Sequence, residues 1–293
     1  MLLADLLRDA RARLAAVGVP TPDADAELLA AHAFGMTRGE LTSAALSGRS
    51  ADTLPIAAFE ELVGERSRRV PLQHLTGTAP FRTVELAVGP GVFVPRPETE
   101  VVAGAAIAEA RRLPHPLVVD LCSGSGAIAV AVAVEVPAAR VVGVELDPLA
   151  LAWARRNVDA LAPAVDLRAG DAVRAHAGVL ADLAGAVDVV VANPPYIPDG
   201  ARPVDPEVAD HDPTVALYGG GADGLDVPRG VVAAAHGLLR PGGLLVMEHG
   251  DAQGASARRL VEGPDWHDVR TAEDLTGRPR ALLARRGCQT DPP

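Results

Sequence analysis

The stretch Val187-Asp188-Val189-Val190-Val191-Ala192-Asn193-Pro194-Pro195-Tyr196 is a β-branched run that stops at an amide, two prolines and an aromatic ring. An apolar run of this length fits a buried strand. The prolines end it, because each removes a backbone donor and fixes φ, and the residue before a proline is driven to extended backbone. The Asn193 side chain and the Pro194 carbonyl are therefore held stiffly, and such acceptors beside a ring suit a planar NH2 group. Asn-Pro is also ordinary turn vocabulary after a strand. What stands upstream decides between pocket and turn.

Upstream, Leu117–Leu121 reads as a short apolar strand, followed by Cys122-Ser123-Gly124-Ser125-Gly126 and a helical run from Ala127 to Val134. Glycine permits positive φ and close backbone approach, so this loop can lay its amides against a ligand at the carboxyl edge of a sheet. Gly124-x-Gly126-x-x-Ala129 satisfies a relaxed dinucleotide fingerprint. A second strand, Arg140–Glu145, ends in a carboxylate placed to read a ribose diol. NAD and S-adenosylmethionine both present that diol. A pyrophosphate favours free amides at a helix N-terminus, whereas a sulfonium cation favours carboxylates and carbonyls. Asp120 beside the loop suits a cationic amino-acid moiety, or else it caps the loop. Val165–Arg168 reads as a third strand, with Asp171 at its end facing an adenine amino group or serving as a turn residue. The fourth strand delivers Asn193, so all four features fall on one edge of a doubly wound α/β sheet.

Residues 1–72 read as helices: Leu3, Leu6, Leu7, Ala10 and Leu14 recur at helical spacing, and Asp23 to Phe34 repeats the pattern. Thr37 with Glu40 three residues on predicts a capping box. A fourth helix runs from Pro55 to Arg69, and its Arg66, Arg68 and Arg69 suit the C-terminal helix dipole better than a polyanion. Phe81–Val88 alternates as a hairpin linker would. Arg96, between Pro95 and Pro97, is fixed in a rigid neck with Phe93 and is placed to shape a site. Ile197 to about Gly224 reads as a long substrate-side loop. Val227–Leu239 reads as helix, Pro241-Gly242-Gly243 as its stop and Leu244–Met247 as a fifth strand, with the last strands near His267–Thr271 and Arg280–Ala284. Glu248-His249 has the composition of an acid/base pair, although a lone His at a strand end is more often structural.

The chain has 293 residues, 48% of them hydrophobic, enough for one large domain and a small one. Arg carries all the positive side-chain charge, there being no Lys. A formal net charge of −11 argues against sequence-blind nucleic-acid binding. The early charges Asp5, Arg8 and Asp9 do not fit a signal peptide, and Glu135 interrupts the longest apolar run, so no membrane association is expected. Two cysteines, Cys122 and Cys288, give neither a zinc site nor a disulfide framework, which fits a cytoplasmic protein.

With these pieces in place the chain resembles the class I S-adenosylmethionine-dependent methyltransferases, and more narrowly the HemK/PrmC family, which methylates a glutamine side chain in peptide chain release factors. The resemblance rests on Pro71–Gly77, Val94–Glu100, Asp120–Gly126, Asn193–Tyr196 and Glu248–Gly250. It implies a seven-stranded Rossmann-like sheet. It also implies a helical docking domain over 1–72, a β-hairpin linker over 73–95 and an S-adenosylmethionine-binding catalytic domain over 96–293. Asp120 with Cys122, Ser123, Gly124, Ser125 and Gly126 would hold the methionine end of the cofactor, Glu145 its ribose and Asp171 its adenine. Asn193, which also borders the cofactor, would take the glutamine amide together with Pro194; Pro195 and Tyr196 would line the pocket. No metal is implied. Cys122 stands where the family usually has Gly, a sterically mild change, and Ala172 where a larger side chain is frequent. The implied partner is a release factor carrying a Gly-Gly-Gln loop, with no nucleic acid directly bound. Rival acceptors are a ribosomal-protein glutamine and the amino group of adenine. The rivals of another class are an NAD-dependent oxidoreductase and a non-catalytic module that keeps the fold.

Overall fold

Burying one apolar face of a helix requires others to cover it. In the computed structural model, which describes residues 1–287, α1 (Leu3–Ala16) buries Leu3, Leu6, Leu7, Ala10 and Leu14. Helices α2 (Pro22–Phe34), α3 (Arg38–Leu46), α4 (Ile56–Ser67) and the short α5 (Leu72–Thr76) complete a bundle closed by Leu29, Leu41, Phe59 and Val63. Thr37 and Glu40 form the predicted capping box, with Glu40 accepting from the Thr37 amide at 2.8 Å.

The chain then forms a hairpin, β1 (Thr78–Phe81) and β2 (Val84–Ala87), and α6 (Pro97–Ala110). Next come β3 (Leu117–Leu121), α7 (Ala127–Glu135), β4 (Arg140–Glu145), α8 (Pro148–Leu161), β5 (Asp166–Ala169) and β6 (Val187–Ala192). Two short helices, α9 (Pro206–His211) and α10 (Thr214–Leu217), interrupt what the sequence reads as one long loop. The chain ends in α11 (Asp226–Leu238), β7 (Leu239–Glu248), α12 (Gly254–Arg259), β8 (Trp266–Glu273) and β9 (Pro279–Arg286).

Seven strands make one sheet in the order β5-β4-β3-β6-β7-β9-β8. The first five are parallel, and β9 runs antiparallel to both β7 and β8. Period-two alternation sends Val118, Val141, Val189, Val191 and Val246 to one apolar layer with α6 and α7. Val119, Val142, Val190, Leu245 and Met247 go to the other, with α11 and α12. Chain order runs outward from β3 through β4 to β5 and then returns to the far side of β3 as β6. The carboxyl ends of β3 and β6 are therefore neighbours at the reversal point, where open α/β sheets bind ligands. Pro241-Gly242-Gly243 is not a stop before the strand. It is an irregularity inside β7, between the pairs Val187–Leu239 and Val189–Leu244, where Gly242 takes φ +76°.

The chain divides into two compact units: residues 1–78 with 204–211, and residues 79–203 with 212 onward. Segment 204–211 thus belongs with the helical bundle. Glu207, 5% exposed, accepts from Arg69 Nε at 2.8 Å and lies 2.7 Å from Arg66 Nη1. Arg66 Nε also donates to Asp25 at 2.7 Å. The arginines at the end of α4 therefore do not simply serve the helix dipole: Arg66 and Arg69 are committed to these carboxylates, and Arg68 pairs with Glu65.

Burial alone would push the Glu207 carboxyl up, but hydrogen bonds from Arg69 and Arg66 hold it well below the usual carboxylate range. A depressed folded-state pKa means stability that is present above the unfolded value and lost as pH falls through the folded one. Removing one partner of a buried pair leaves charge uncompensated, at a cost of about 3 kcal/mol or more. Glu207→Gln should lower stability by about that amount at pH 7, and chemical denaturation should show the deficit closing below about pH 4.

Candidate functional site

The glycine loop follows β3 because Ser123 N donates to Val144 O (3.0 Å) and Gly126 N to Ser123 O (2.8 Å), turning the chain sharply into α7. Cys122 at φ +64° and Gly124 at φ +57° both sit in the left-handed region. For Cys122 the reading of a mild departure is corrected: an L side chain there costs about 1–2 kcal/mol, which glycine avoids. Burial, reinforced by Glu145 and Asp120, pushes its thiol well above the usual value, so it stays neutral. Cys288 lies outside the described residues. A Cβ built on Gly124 meets nothing within 4 Å, so the loop presents an open backbone face there.

Around the loop stand two buried carboxylates. Asp120 is fully buried, Oδ2 accepts from Ala129 N at 3.2 Å, and Oδ1 has no hydrogen-bond partner among the described residues. Burial pushes the Asp120 carboxyl up to about 7, with nearby Glu145 adding to the rise. Glu145, at the end of β4, takes Gly124 N at 2.7 Å and Asp147 N at 2.8 Å, and burial raises its carboxyl too. Asp171 starts a short 3-10 helix and accepts from Val173 N at 3.0 Å, so it caps a turn as well as flanking the edge. Ala172 is buried in the second apolar layer.

Asn193 leaves the end of β6 with its Nδ2 donating to Thr99 Oγ1 at 3.1 Å. Pro194 is buried, while Pro195 and Tyr196 are half-buried. The Tyr196 hydroxyl donates to Glu248 Oε1 at 3.3 Å. Glu248, 2% exposed, is pushed up to about 7 by burial, against hydrogen bonding from Thr99 and the charge of Arg280. Burial and the Glu248 charge also raise the Tyr196 phenol, which stays protonated. Glu248, the last residue of β7, and His249, just beyond it, have different partners, and no hydrogen bond joins them among the described residues. His249 is fully buried with Nδ1 2.8 Å from Gly250 O, and burial lowers its pKa.

After Tyr196 the backbone is stapled in place. Ile197 N donates to Leu217 O (2.8 Å) and Gly219 N to Ile197 O (3.0 Å). A Cβ at Gly219 would lie 2.6 Å from Pro195 O, and one at Gly224 would lie 2.2 Å from Tyr196 O, so both glycines are required by close approach. Arg96 donates to Asp212 at 2.9 Å and stacks 5.2 Å from the Phe93 ring centroid, so this pair braces the entry to α6.

Asp120, the glycine loop, Glu145, Asp171 and Asn193 thus share the carboxyl edge of the sheet, with Asp120 and Asn193 at the reversal point, whereas Phe93 and Arg96 brace the start of α6. Sequence reasoning missed the roles of Thr99 and Asn157, and read Glu248 only as a partner of His249. Asn157 in α8, 2% exposed, donates to Ser125 O and Ala87 O at 2.9 Å and accepts from Ala87 N at 2.7 Å, holding the glycine loop against β2. Its only sequence signal is an amide on the buried face of an amphipathic helix.

Residues 5–77 match the family model of the PrmC N-terminal domain, and residues 99–207 match that of the methyltransferase small domain. The release factor glutamine methyltransferase of Streptomyces coelicolor is 50% identical over 294 residues, covering 98% of this chain and 98% of that protein. The protein of the same name from Mycolicibacterium smegmatis is 48% identical, covering 94% and 95%, and that from Bifidobacterium longum is 42% identical, covering 97% and 99%. Identity at this level over nearly the whole length places the chain in the release factor glutamine methyltransferase family.

Proposed function

We propose that this protein transfers a methyl group from S-adenosylmethionine to the side-chain amide nitrogen of the glutamine in the Gly-Gly-Gln loop of peptide chain release factors. The observation that carries the reading is the stiff acceptor pair at Asn193 and Pro194, set beside a buried carboxylate edge. The cofactor supplies an electrophilic methyl group on a sulfonium cation. The donor set fits it: Asp120 has a buried carboxylate oxygen without a partner among the described residues, suited to a cationic amino-acid moiety. Gly124 leaves its backbone face open. Glu145 at the end of β4 suits a ribose diol, and Asp171 an adenine amino group.

An amide nitrogen is a poor nucleophile because its lone pair is delocalised into the carbonyl, the resonance that also flattens the peptide bond. Orientation must therefore supply much of the activation. With Asn193 Nδ2 turned toward Thr99, Asn193 Oδ1 is the end left to accept one substrate N–H, and the Pro194 carbonyl takes the other. As positive charge develops on the nitrogen, these fixed acceptors bind it more strongly than they bind the ground state. The face of Tyr196 adds cation–π attraction. The helical unit serves as the docking part for the release factor, the unit around the sheet carries the cofactor and the chemistry, and the protein works in the cytoplasm. Among the described residues no helix is long and apolar enough to cross a membrane.

Incubation with labelled cofactor and a release factor, followed by mass spectrometry of its peptides, should locate one methyl group on the glutamine side chain. Unlabelled release factor with intact cofactor binding would refute the reading. Asn193→Ala removes one oriented acceptor and should lower kcat by about 10²–10³. Asp120→Asn separates stability from function. A folded-state pKa raised by burial means stability that is complete below the unfolded value near 4 and is lost as pH rises toward 7. Asp120→Asn should therefore raise the melting temperature of the cofactor-free protein above pH 7, make little difference near pH 4, and weaken cofactor binding measured by calorimetry.

A further inference from the structure

The two ends of an Asn amide have nearly the same shape, so hydrogen bonding alone decides which end faces a ligand. For Asn193 that decision lies with Thr99, whose Oγ1 accepts from Asn193 Nδ2 at 3.1 Å. Thr99 is itself 5% exposed in the first turn of α6, and its backbone amide donates to Arg96 O at 3.1 Å, so its position is fixed. A hydroxyl that accepts from Asn193 has its own proton to place, and the buried Glu248 carboxyl, whose pKa burial raises and the Thr99 hydroxyl lowers, is the acceptor beside it. The Tyr196 hydroxyl donates to the same carboxyl at 3.3 Å. The donors therefore run from Asn193 to Thr99 to Glu248, and from Tyr196 to Glu248. They end on a group that, when ionised, can only accept. Turning the Asn193 amide round would require Thr99 to donate to it, leaving the Glu248 carboxylate without that proton in a place where it is 2% exposed and its Oε2 already has no partner among the described residues. Leaving a buried polar group unsatisfied is the costlier state.

We propose that Thr99 and Glu248 are positioning residues that set substrate specificity. By holding Asn193 Nδ2 inward they show the pocket only its Oδ1, so the site accepts a side-chain amide, which has two N–H bonds to give, and rejects the isosteric carboxylate, which has none. The inference rests on the methyl-transfer reading above and adds to it the basis on which glutamine is distinguished from glutamate. A site built to receive donors rejects the analogue that lacks them far more strongly than an apolar site rejects a change in size.

The test uses the full chain, a release factor bearing the acceptor glutamine as substrate, and the same factor with that glutamine replaced by glutamate as competitor. Wild type should methylate the first, and the second should bind at least tenfold more weakly. Thr99→Val keeps the shape but loses the hydroxyl. It should lower kcat at least tenfold with cofactor affinity within twofold of wild type, and the glutamate form should become a better competitor. Thr99→Ser should restore both properties. Glu248→Gln, which can donate as well as accept, should also narrow the discrimination, and it carries the test if Thr99→Val fails to bind cofactor. Wild-type rates and wild-type discrimination in these variants would overturn the assignment while leaving the methyl-transfer reading intact. A wild-type protein that methylates neither factor would overturn both.

Discussion

The adjacency of the carboxyl ends of β3 and β6 is the constraint from which the site follows. Asp120 pairs with Val191 and Leu121 with Ala192, so the glycine loop and Asn193 leave the sheet side by side. The chain leaving β3 turns into α7, while the chain leaving β6 is prevented by two prolines from continuing as a strand or turning into a helix. The edge between them is where backbone amides, carbonyls and side chains are least used by the sheet itself. Three carboxylates are buried along β4, β3 and β7 at this end of the sheet, Glu145, Asp120 and Glu248, and burial pushes all three upward. A fold under selection for stability alone has no reason to desolvate three acids along one edge. Perturbed groups gathered at a reversal point are the pattern expected of a site that handles a charged ligand.

What holds those acids is uneven, and the unevenness carries meaning. Both oxygens of Glu145 accept backbone amides, at Gly124 and Asp147, so this residue shapes the loop. Asp120 and Glu248 each keep one oxygen without a partner among the described residues. Their satisfied oxygens fix orientation, and the unsatisfied ones are the costly feature. Asp120 faces the glycine loop and Glu248 faces the Asn193 network, so the two unpaired acceptors mark the two halves of the edge separately.

The parts of this arrangement legible in the sequence are the local ones. The strands 117–121 and 140–145 and the glycine loop can be read because β-branched runs and glycine spacing are short-range signals, and the cap of α3 because its two residues are three apart. The parts missed all act across long separations: Thr99 and Asn193 are 94 residues apart, Asn157 and Ala87 are 70, and Arg69 and Glu207 are 138. No periodicity records such pairs. The stretch 197–224 is polar and proline-rich, so composition alone reads it as loop, yet its first residues pair with 217–221 and its middle packs with the helical bundle. Cys122 shows a different limit, since a chemically modest side chain gives no sign that its backbone takes a left-handed conformation.

In the proposed methyl transfer, rigidity at Asn193 and Pro194 is what amide chemistry demands. An acceptor that must reorganise as charge develops contributes little, whereas one already aimed contributes its full interaction in the transition state. At this edge the backbone and the side chain are fixed by separate means. The carbonyls of Pro195 and Tyr196 lie so close to Gly219 and Gly224 that no side chain fits at either glycine, which holds the main chain after Asn193 against its neighbour. Asn193 itself is held by Thr99, from a helix whose first turn is set by Pro97 and braced by Arg96 on Asp212. Loosening either support would leave the pocket present and its residues unchanged, but would let the acceptors wander by the fraction of an ångström that separates an aimed dipole from a solvating one. In the proposed methyl transfer, the tight glycines, the two prolines and the buried network are therefore one requirement met three ways: fixed acceptors for a nitrogen that has little nucleophilicity of its own.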